Sequence, residues 1–227
     1  MDKKTALVIG ATGLIGKQLV SLLLERQEYD QITVLVRRSI DIEHPKLEER
    51  MINFDELGAD DIPEVDDVYC ALGTTIKKAK TKEAFRKVDY EYPLLVARLA
   101  KEKGAAQYVI VTAMGSSSMS SFFYSRVKGE LEEALQEVGY KALKIFRPSL
   151  LLGERSEFRL GERMAEYMMR LFRFVMIGPL KRYRAVEGKQ VAKAMMIEAN
   201  RKSDANVSIY ESQQIFAIAQ GSDSFVH

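Results

Sequence analysis

The stretch that most limits what this chain can fold into is Gly10-Ala11-Thr12-Gly13-Leu14-Ile15-Gly16, which breaks an apolar run near its start. Before it, Ala6-Leu7-Val8-Ile9 is too short for a helix and reads as a buried strand. After it, Ile15, Leu19, Leu22 and Leu23 recur at helical spacing, so a helix begins at the loop. Glycines let the backbone turn sharply, approach a ligand closely and pack the helix against the strand. The unpaired amides at the helix start then face negative charge. Strand, glycine turn and helix in this order make a dinucleotide-binding element. Gly10, Thr12, Gly13, Leu14, Ile15 and Gly16 are its candidate cofactor-binding residues.

Further strands follow at regular intervals. Residues 31–36 are rich in β-branched side chains and form the expected second strand. An NAD site wants a carboxylate about twenty residues beyond the glycines to accept from the ribose hydroxyls. The chain offers Arg37-Arg38 instead, and two guanidiniums suit a 2′-phosphate. The expected cofactor is therefore NADP. A short third strand is expected over 49–53, a fourth over 67–73 and a fifth over 108–112. Between the fourth and fifth lie a basic loop, 76–82, and a helical pattern through Val88, Tyr92, Leu95, Val96 and Leu99. Pro93 predicts a kink or a fresh helix start within that pattern. A sixth strand is expected over 141–146, a helix over 186–199 and a last strand over 207–210. Strands alternating with helices argue for a parallel, doubly wound α/β sheet of Rossmann type, with helices on both faces. The stretch after the sixth strand makes a small C-terminal elaboration on the substrate side.

A second constellation sits after the fifth strand. A serine-rich loop leads into a helix over 122–138 that Gly139 stops. Tyr124 and Lys128 stand four residues apart on its first turns, so their side chains share one face. A free tyrosine is a poor acid or base at neutral pH, and a neighbouring ammonium favours the phenolate. Tyr-x-x-x-Lys is thus a workable acid/base unit for interconverting a carbonyl and an alcohol.

The glycine spacing at 10–16 resembles the fingerprint of the extended and atypical short-chain dehydrogenase/reductases, Gly-Ala-Thr-Gly-x-Ile-Gly. Ala71-Leu72-Gly73-Thr74-Thr75, Tyr124-Ser125-Arg126-Val127-Lys128-Gly129-Glu130 and Phe146-Arg147-Pro148-Ser149-Leu150-Leu151-Leu152 resemble the Tat-interactive-protein-like oxidoreductases, small atypical members that bind NADPH. The likeness runs over most of the chain, to about Ala199. It implies an NADP-dependent oxidoreductase in which Asp55 meets the adenine amino group and Leu72, Gly73 and Thr74 pass beside the cofactor ribose. Tyr124 would exchange the proton, and Lys128 would hold the nicotinamide ribose and tune Tyr124. The family also places a serine or threonine at the end of the fifth strand to hold the substrate carbonyl. Here the equivalent pair is Thr112-Ala113, so the orienting hydroxyl is that of Thr112, Ser116 or Ser117.

Composition narrows the alternatives. Thirty-four basic residues against 32 acidic ones give +2, too little for a global field that attracts nucleic acid. The basic run at 76–82 lacks interleaved aromatics, so a nucleic-acid partner is not expected. One cysteine, Cys70, fits a reducing compartment, and no signal or membrane-spanning run is evident; the expectation is a cytoplasmic protein. No metal site is assigned. No repeat or linker divides residues 1–227, which read as a single domain. The Met/Phe-rich stretch 164–177 is a candidate core helix, substrate lid, homodimer patch, partner-docking surface or, least of these, membrane-surface helix. A non-catalytic NADP(H)-binding sensor or regulatory interaction protein is the alternative to a reductase acting on a small molecule. A sugar-nucleotide epimerase fits less well, because the region after Arg147 looks short for that pocket.

Overall fold

The first strand, β1 (Lys4–Ile9), sends Ala6 and Val8 to one face of the sheet and Leu7 and Ile9 to the other, and all four are buried. A strand buried on both faces belongs in the middle of a parallel sheet covered on both sides. The computed structural model describes residues 3–149, 151–152, 186–202 and 205–221. Within them the strands are β1, β2 (Tyr29–Val36), β3 (Leu47–Met51), β4 (Asp67–Cys70), β5 (Gln107–Val111), β6 (Ala142–Arg147), β7 (Leu151–Leu152), β8 (Val186–Glu187) and β9 (Val207–Glu211). Seven of them form one parallel sheet in the order β3-β2-β1-β4-β5-β6-β9. β7 and β8 pair with each other as a separate parallel ribbon.

Two apolar layers hold helices to this sheet. On one face α1 (Leu14–Leu24) brings Leu19, Val20 and Leu23, and α6 (Gly188–Ala199) brings Val191, Ala192 and Met195, against Ala6, Val8 and Val34. On the other, α4 (Tyr92–Glu102) supplies Val96 and Ala97, and α5 (Phe123–Val138) supplies Leu131 and Leu135, against Leu7, Ile9, Val68 and Ile145. Each fully buried leucine or valine contributes roughly 1.5–3 kcal/mol, so either layer outweighs any single polar contact described below. α1 and α6 touch closely: a β-carbon on Gly188 would lie 2.7 Å from Leu14 Cγ. The expected doubly wound α/β fold is the one found.

The order reverses beside β1, with β2 and β3 on one side and β4 onward on the other. In such sheets the crevice at the carboxyl ends of the strands flanking that reversal receives the ligand. It lies between the ends of β1 and β4.

The structure moves several expected boundaries. β3 begins two residues earlier than the sequence suggested and ends at Met51. The expected helix at 186–199 gives its first two residues to β8. The basic stretch 76–82 is not a loop but holds a short helix, α2 (Ile76–Ala79), and the start of α3 (Lys82–Arg86). Thr75 and Thr81 accept from the amides of Lys78 and Ala84, and these caps overcome the crowding of lysines. A π-helical turn, Lys87–Glu91, joins α3 to α4, and the Tyr92 amide reaches back to the Lys87 carbonyl. Pro93 has no amide to continue the regular ladder, and the wider turn absorbs that loss. α7 (Ser212–Ala219) was not expected from the sequence. Glu211 caps it through a reciprocal pattern with Gln214. The Met/Phe-rich stretch 164–177, and with it the body of the C-terminal elaboration, lies outside the described residues.

Candidate active site

The glycine loop fits tightly where it must. Gly10 has φ +85°, and a β-carbon there would lie 2.5 Å from the Ala71 backbone at the end of β4. A β-carbon on Gly16 would lie 2.1 Å from the Gly10 carbonyl oxygen. Only glycine lets β1, α1 and the chain after β4 converge this closely. Gly13 is the N-cap of α1 and offers no side chain to the first amides, and the first turn holds no acid. Thr12 is exposed, Gly13 and Leu14 are half-buried, and Ile15 packs in the core, so what Ile15 presents is its amide. This is a helix start open to an anion.

Arg37 and Arg38 are exposed at the end of β2, and among the described residues neither has a hydrogen-bond or ion-pair partner. Asp55 is placed differently from an isolated adenine ligand. Its carboxylate accepts from Lys87 Nζ at 2.8 Å and from the Tyr92 hydroxyl at 2.7 Å, and both hold it below the usual carboxylate range.

From the glycine loop a chain of contacts leads to Lys128, one turn along α5 from Tyr124. Ala71 meets Gly10, and Leu72 and Gly73 follow it. The Thr74 amide donates to Asp89 Oδ2 at 2.8 Å. Asp89 Oδ1 lies 2.8 Å from Lys128 Nζ, and both side chains are buried, at 1% and 3% exposure. Burial opposes the Lys128 charge, but the Asp89 carboxylate outweighs it, so the ammonium is held above its ordinary range. One turn earlier on α5, Tyr124 is 37% exposed, and its ring packs against Phe85 of α3. Cys70, at the end of β4, is fully buried; burial pushes its thiol up to about 11, which makes it a core residue and not a nucleophile.

The serine loop is seated on α5 at Gly129, where a β-carbon would lie 2.2 Å from the Ser117 and Ser118 backbone. Its candidate hydroxyls are not equivalent. Thr112 is buried and donates to Glu132 Oε1 at 2.5 Å, and Glu132 is also clamped by Arg147. Ser116 donates to the Ala113 carbonyl at 2.7 Å. Ser117 is exposed and makes no side-chain hydrogen bond among the described residues.

The sequence reading missed Asp89, Glu132 and the role of Gly129. Asp89 had a signal: it falls four residues after Phe85 and seven before Val96, an acid on the inward stripe of an apolar helix pattern. Glu132 sits one residue beyond Leu131 on α5 and looks like surface by spacing. Its burial follows from Arg147, which only the packing of β6 against α5 brings near.

Among protein families, HIM1 matches residues 31–175. Protein HTATIP2 of Rattus norvegicus is 34% identical over 170 residues, which cover 73% of this chain and 70% of that protein. The protein named "FMP52, mitochondrial" of Eremothecium gossypii is 31% identical over 218 residues, 95% of this chain and 97% of its own length. Among solved structures, human epimerase family protein SDR39U1 with NADPH superposes with a TM-score of 0.54 at 21% identity, covering 91% of this chain and 74% of that one. MoeE5 in complex with UDP-glucose and NAD reaches 0.67 at 15% identity, covering 90% and 74%. Likenesses at these identities show the Rossmann-like fold. One expectation is corrected: the relatives from Candida albicans, Eremothecium gossypii and Meyerozyma guilliermondii are named as mitochondrial proteins, which overturns the cytoplasmic assignment. A lone reduced cysteine does not distinguish reducing compartments. No helix among the described residues is long and apolar enough to cross a membrane.

Proposed function

The chain belongs to the HIM1 family and is an atypical, HTATIP2-like short-chain dehydrogenase/reductase, and from that premise we propose that it is an NADP-dependent oxidoreductase acting on a carbonyl or alcohol carbon of a small molecule. The observation that carries the reading is the line from the Gly10 crevice through Thr74 and Asp89 to a buried, charged Lys128, one helical turn from a part-exposed Tyr124. A buried ammonium is retained where something needs its charge or its donors.

In this reading the first amides of α1, at Leu14 and Ile15, and exposed Thr12 face the pyrophosphate, and Arg37 and Arg38 take the 2′-phosphate. Leu72, Gly73 and Thr74 line the ribose side. Asp55, already bonded to Lys87 and Tyr92, closes the adenine end. Bound nicotinamide would supply or accept the hydride. In the reducing direction Tyr124 gives its phenolic proton to the substrate oxygen, and Lys128 donates to the nicotinamide ribose and steadies the phenolate left behind. Asp89 fixes the Lys128 side chain and, through Thr74, the loop after β4. The substrate oxygen is oriented by Ser117, because the Thr112 proton is committed to Glu132 and that of Ser116 to Ala113.

That commitment also supports a second reading, an NADP(H) sensor without turnover: the position after Thr112 is Ala113 and carries no hydroxyl. A screen of aldehydes, ketones and quinones with NADPH separates the two. The reductase reading expects turnover that falls by about 10²–10⁴-fold in Tyr124→Phe while NADPH still protects the variant against heating. Turnover at the parent rate in Tyr124→Phe overturns the acid/base role. A screen without any turnover, alongside NADPH protection, favours the sensor.

A further inference from the structure

We propose that the substrate of this site is an anionic carbonyl compound, one that carries a carboxylate or phosphate together with an apolar body. The proposal rests on the oxidoreductase reading above and adds the chemical class of what enters. It comes from two segments among the described residues that approach Tyr124, joined where Lys82 and Phe85 meet the start of α5. The first is α2 and the start of α3, which bring Lys77, Lys78, Lys80 and Lys82, all exposed. The second is the serine loop and the start of α5, with Arg126 as its one charged side chain. No acid occurs between Gly73 and Lys82 or between Thr112 and Arg126.

Contacts at both ends tie the lysine segment to the site. Just before it, the Thr74 amide is bonded to Asp89. At its far end the Lys82 ammonium stands 5.5 Å from the centre of the Phe123 ring, and Phe85 packs against both Phe123 and Tyr124. The neighbouring acids are mostly occupied. Glu130 is paired with Arg86 at 2.5 Å, Asp89 is buried on Lys128, and Glu133 accepts from Ser118. Glu83, on the exposed side of α3, is left to oppose the lysines. Among the described residues Lys77, Lys80 and Lys82 form no ion pair.

A run of lysines is usually a solvated face, and two features argue against that here. The chain as a whole is nearly neutral, with 34 basic and 32 acidic residues, so composition does not force an acid-free cluster. Large apolar side chains are also exposed on the same two segments: Met119 at 90%, Phe122 at 76% and Ile76 at 47%. Cations around exposed apolar groups, beside a candidate proton donor, suit a ligand with a charged head and an apolar body. Exposed lysines of this kind act chiefly through the field at the mouth, which raises the encounter rate of an anion and is screened by salt.

The test compares azelaic semialdehyde with its neutral methyl ester, within a panel of such acid and ester pairs, using NADPH. The parent protein is expected to show a kcat/KM about tenfold higher for the acid at low ionic strength, with the difference closing at about 0.5 M salt. The triple variant Lys77→Glu/Lys80→Glu/Lys82→Glu should lose the preference. Its capping threonines are intact, and retained NADPH protection against heating verifies that it is folded. Equal or faster reduction of the esters overturns the proposal and leaves the oxidoreductase reading standing. If no aldehyde is reduced, calorimetry on the NADPH-loaded protein decides the matter separately. Tighter binding of the acids than of the esters, lost in the triple variant, supports an anion-selective mouth while the oxidoreductase reading fails. No preference in binding overturns the proposal as well.

Discussion

Both edges of the sheet bury charged and polar groups, and they complete them in opposite ways. At the amino edge Asp67 accepts from the Tyr29 hydroxyl at 2.6 Å, the Gln107 amide at 3.0 Å and the Lys4 ammonium at 3.1 Å. The Tyr69 hydroxyl lies 2.7 Å from that of Tyr29. Lys144 donates to the Glu198 and Arg201 carbonyls at the end of α6, and Tyr210 donates to Glu198 at 2.8 Å. Within this network the groups bond one another, and Lys4, Asp67, Gln107 and Arg201 also line a cavity of about 1050 Å³. At the carboxyl edge, the start of α1 has no side-chain cap, Arg37 and Arg38 lack partners among the described residues, and Tyr124 is part-exposed. Asp89 and Lys128 pair as buried charges at 2.8 Å, and they support groups that the chain leaves open. Polar groups that the chain completes itself contribute stability and specify one packing, whereas groups it leaves open stand ready for a ligand.

The largest effect that tests this contrast is expected at Asp89. Asp89→Leu removes the partner of a buried ammonium and should cost about 3–5 kcal/mol of stability near neutral pH. In the parent, Lys128 has a raised value, so its contribution is fully present below the ordinary lysine value of about 10.4 and is lost only as pH rises through the folded value. Without Asp89, burial dominates and drives Lys128 below that ordinary value. Folding then expels a proton, and the variant's deficit should shrink as pH rises from about 7 toward 10. Asp67→Leu serves as the comparison. Its hydrogen-bond partners Tyr29 and Gln107 are neutral, Lys4 is part-exposed, and Lys144, whose charge Asp67 also supports, keeps its carbonyl partners. The loss should therefore be smaller and less steep in pH over the same range. Denaturant melts at several pH values check both; a flat deficit in Asp89→Leu would falsify the account of Lys128 as a charge held by Asp89.

A smaller effect, confined to binding, is expected at Arg37 and Arg38. Arg37→Ala/Arg38→Ala should weaken NADPH by roughly tenfold or more, the loss of a charge-assisted phosphate contact of about 1.5–3 kcal/mol. NADH affinity and folding stability, the latter within about 0.5 kcal/mol, should be unmoved, because neither side chain has a partner to lose among the described residues. Titration calorimetry with both cofactors measures the difference. Equal affinity of the parent for the two overturns the assignment of this pair.

Legibility in the sequence followed the range of the interactions. The glycine turn and the shared face of Tyr124 and Lys128 were readable because each is set by neighbours within one or two turns of chain, whereas the pairing of Lys128 with Asp89, far away in sequence, was not. The parallel sheet was readable because most of its strands, unlike β3, are apolar runs in a chain where strand and helix patterns alternate. The pairs Thr112–Glu132 and Glu132–Arg147 were not, since they join β5, α5 and β6 across residues that meet only in the folded sheet. The same holds for Asp67, whose partners Tyr29 and Gln107 are 38 and 40 residues away. The third strand slipped by two residues because its Leu47-Glu48-Glu49-Arg50-Met51 lacks the alternation that fixes a strand's ends, and pairing with β2 alone settles them.

The smallest predicted effect asks whether the two edges are independent. Tyr69 belongs to the four-residue strand β4, which runs directly from Asp67 at the amino edge to Ala71 in the glycine crevice, a span of roughly 10–13 Å. Tyr69→Phe removes a single hydroxyl whose partner, Tyr29, keeps its bond to Asp67. The ring still fills the core, so the expected loss is only about 0.5–1.5 kcal/mol. Burial holds both tyrosines above the usual tyrosine range. Their neutral forms are therefore favoured by folding, and the parent should lose stability only as pH rises above about 10. Tyr69→Phe removes one of the two contributions, so its stability should fall less steeply above that pH. If the edges are independent, NADPH affinity in this variant should match the parent within about twofold. A larger change would mean that β4 transmits strain from the amino-edge network to the open edge, because its backbone is the shortest rigid path between them.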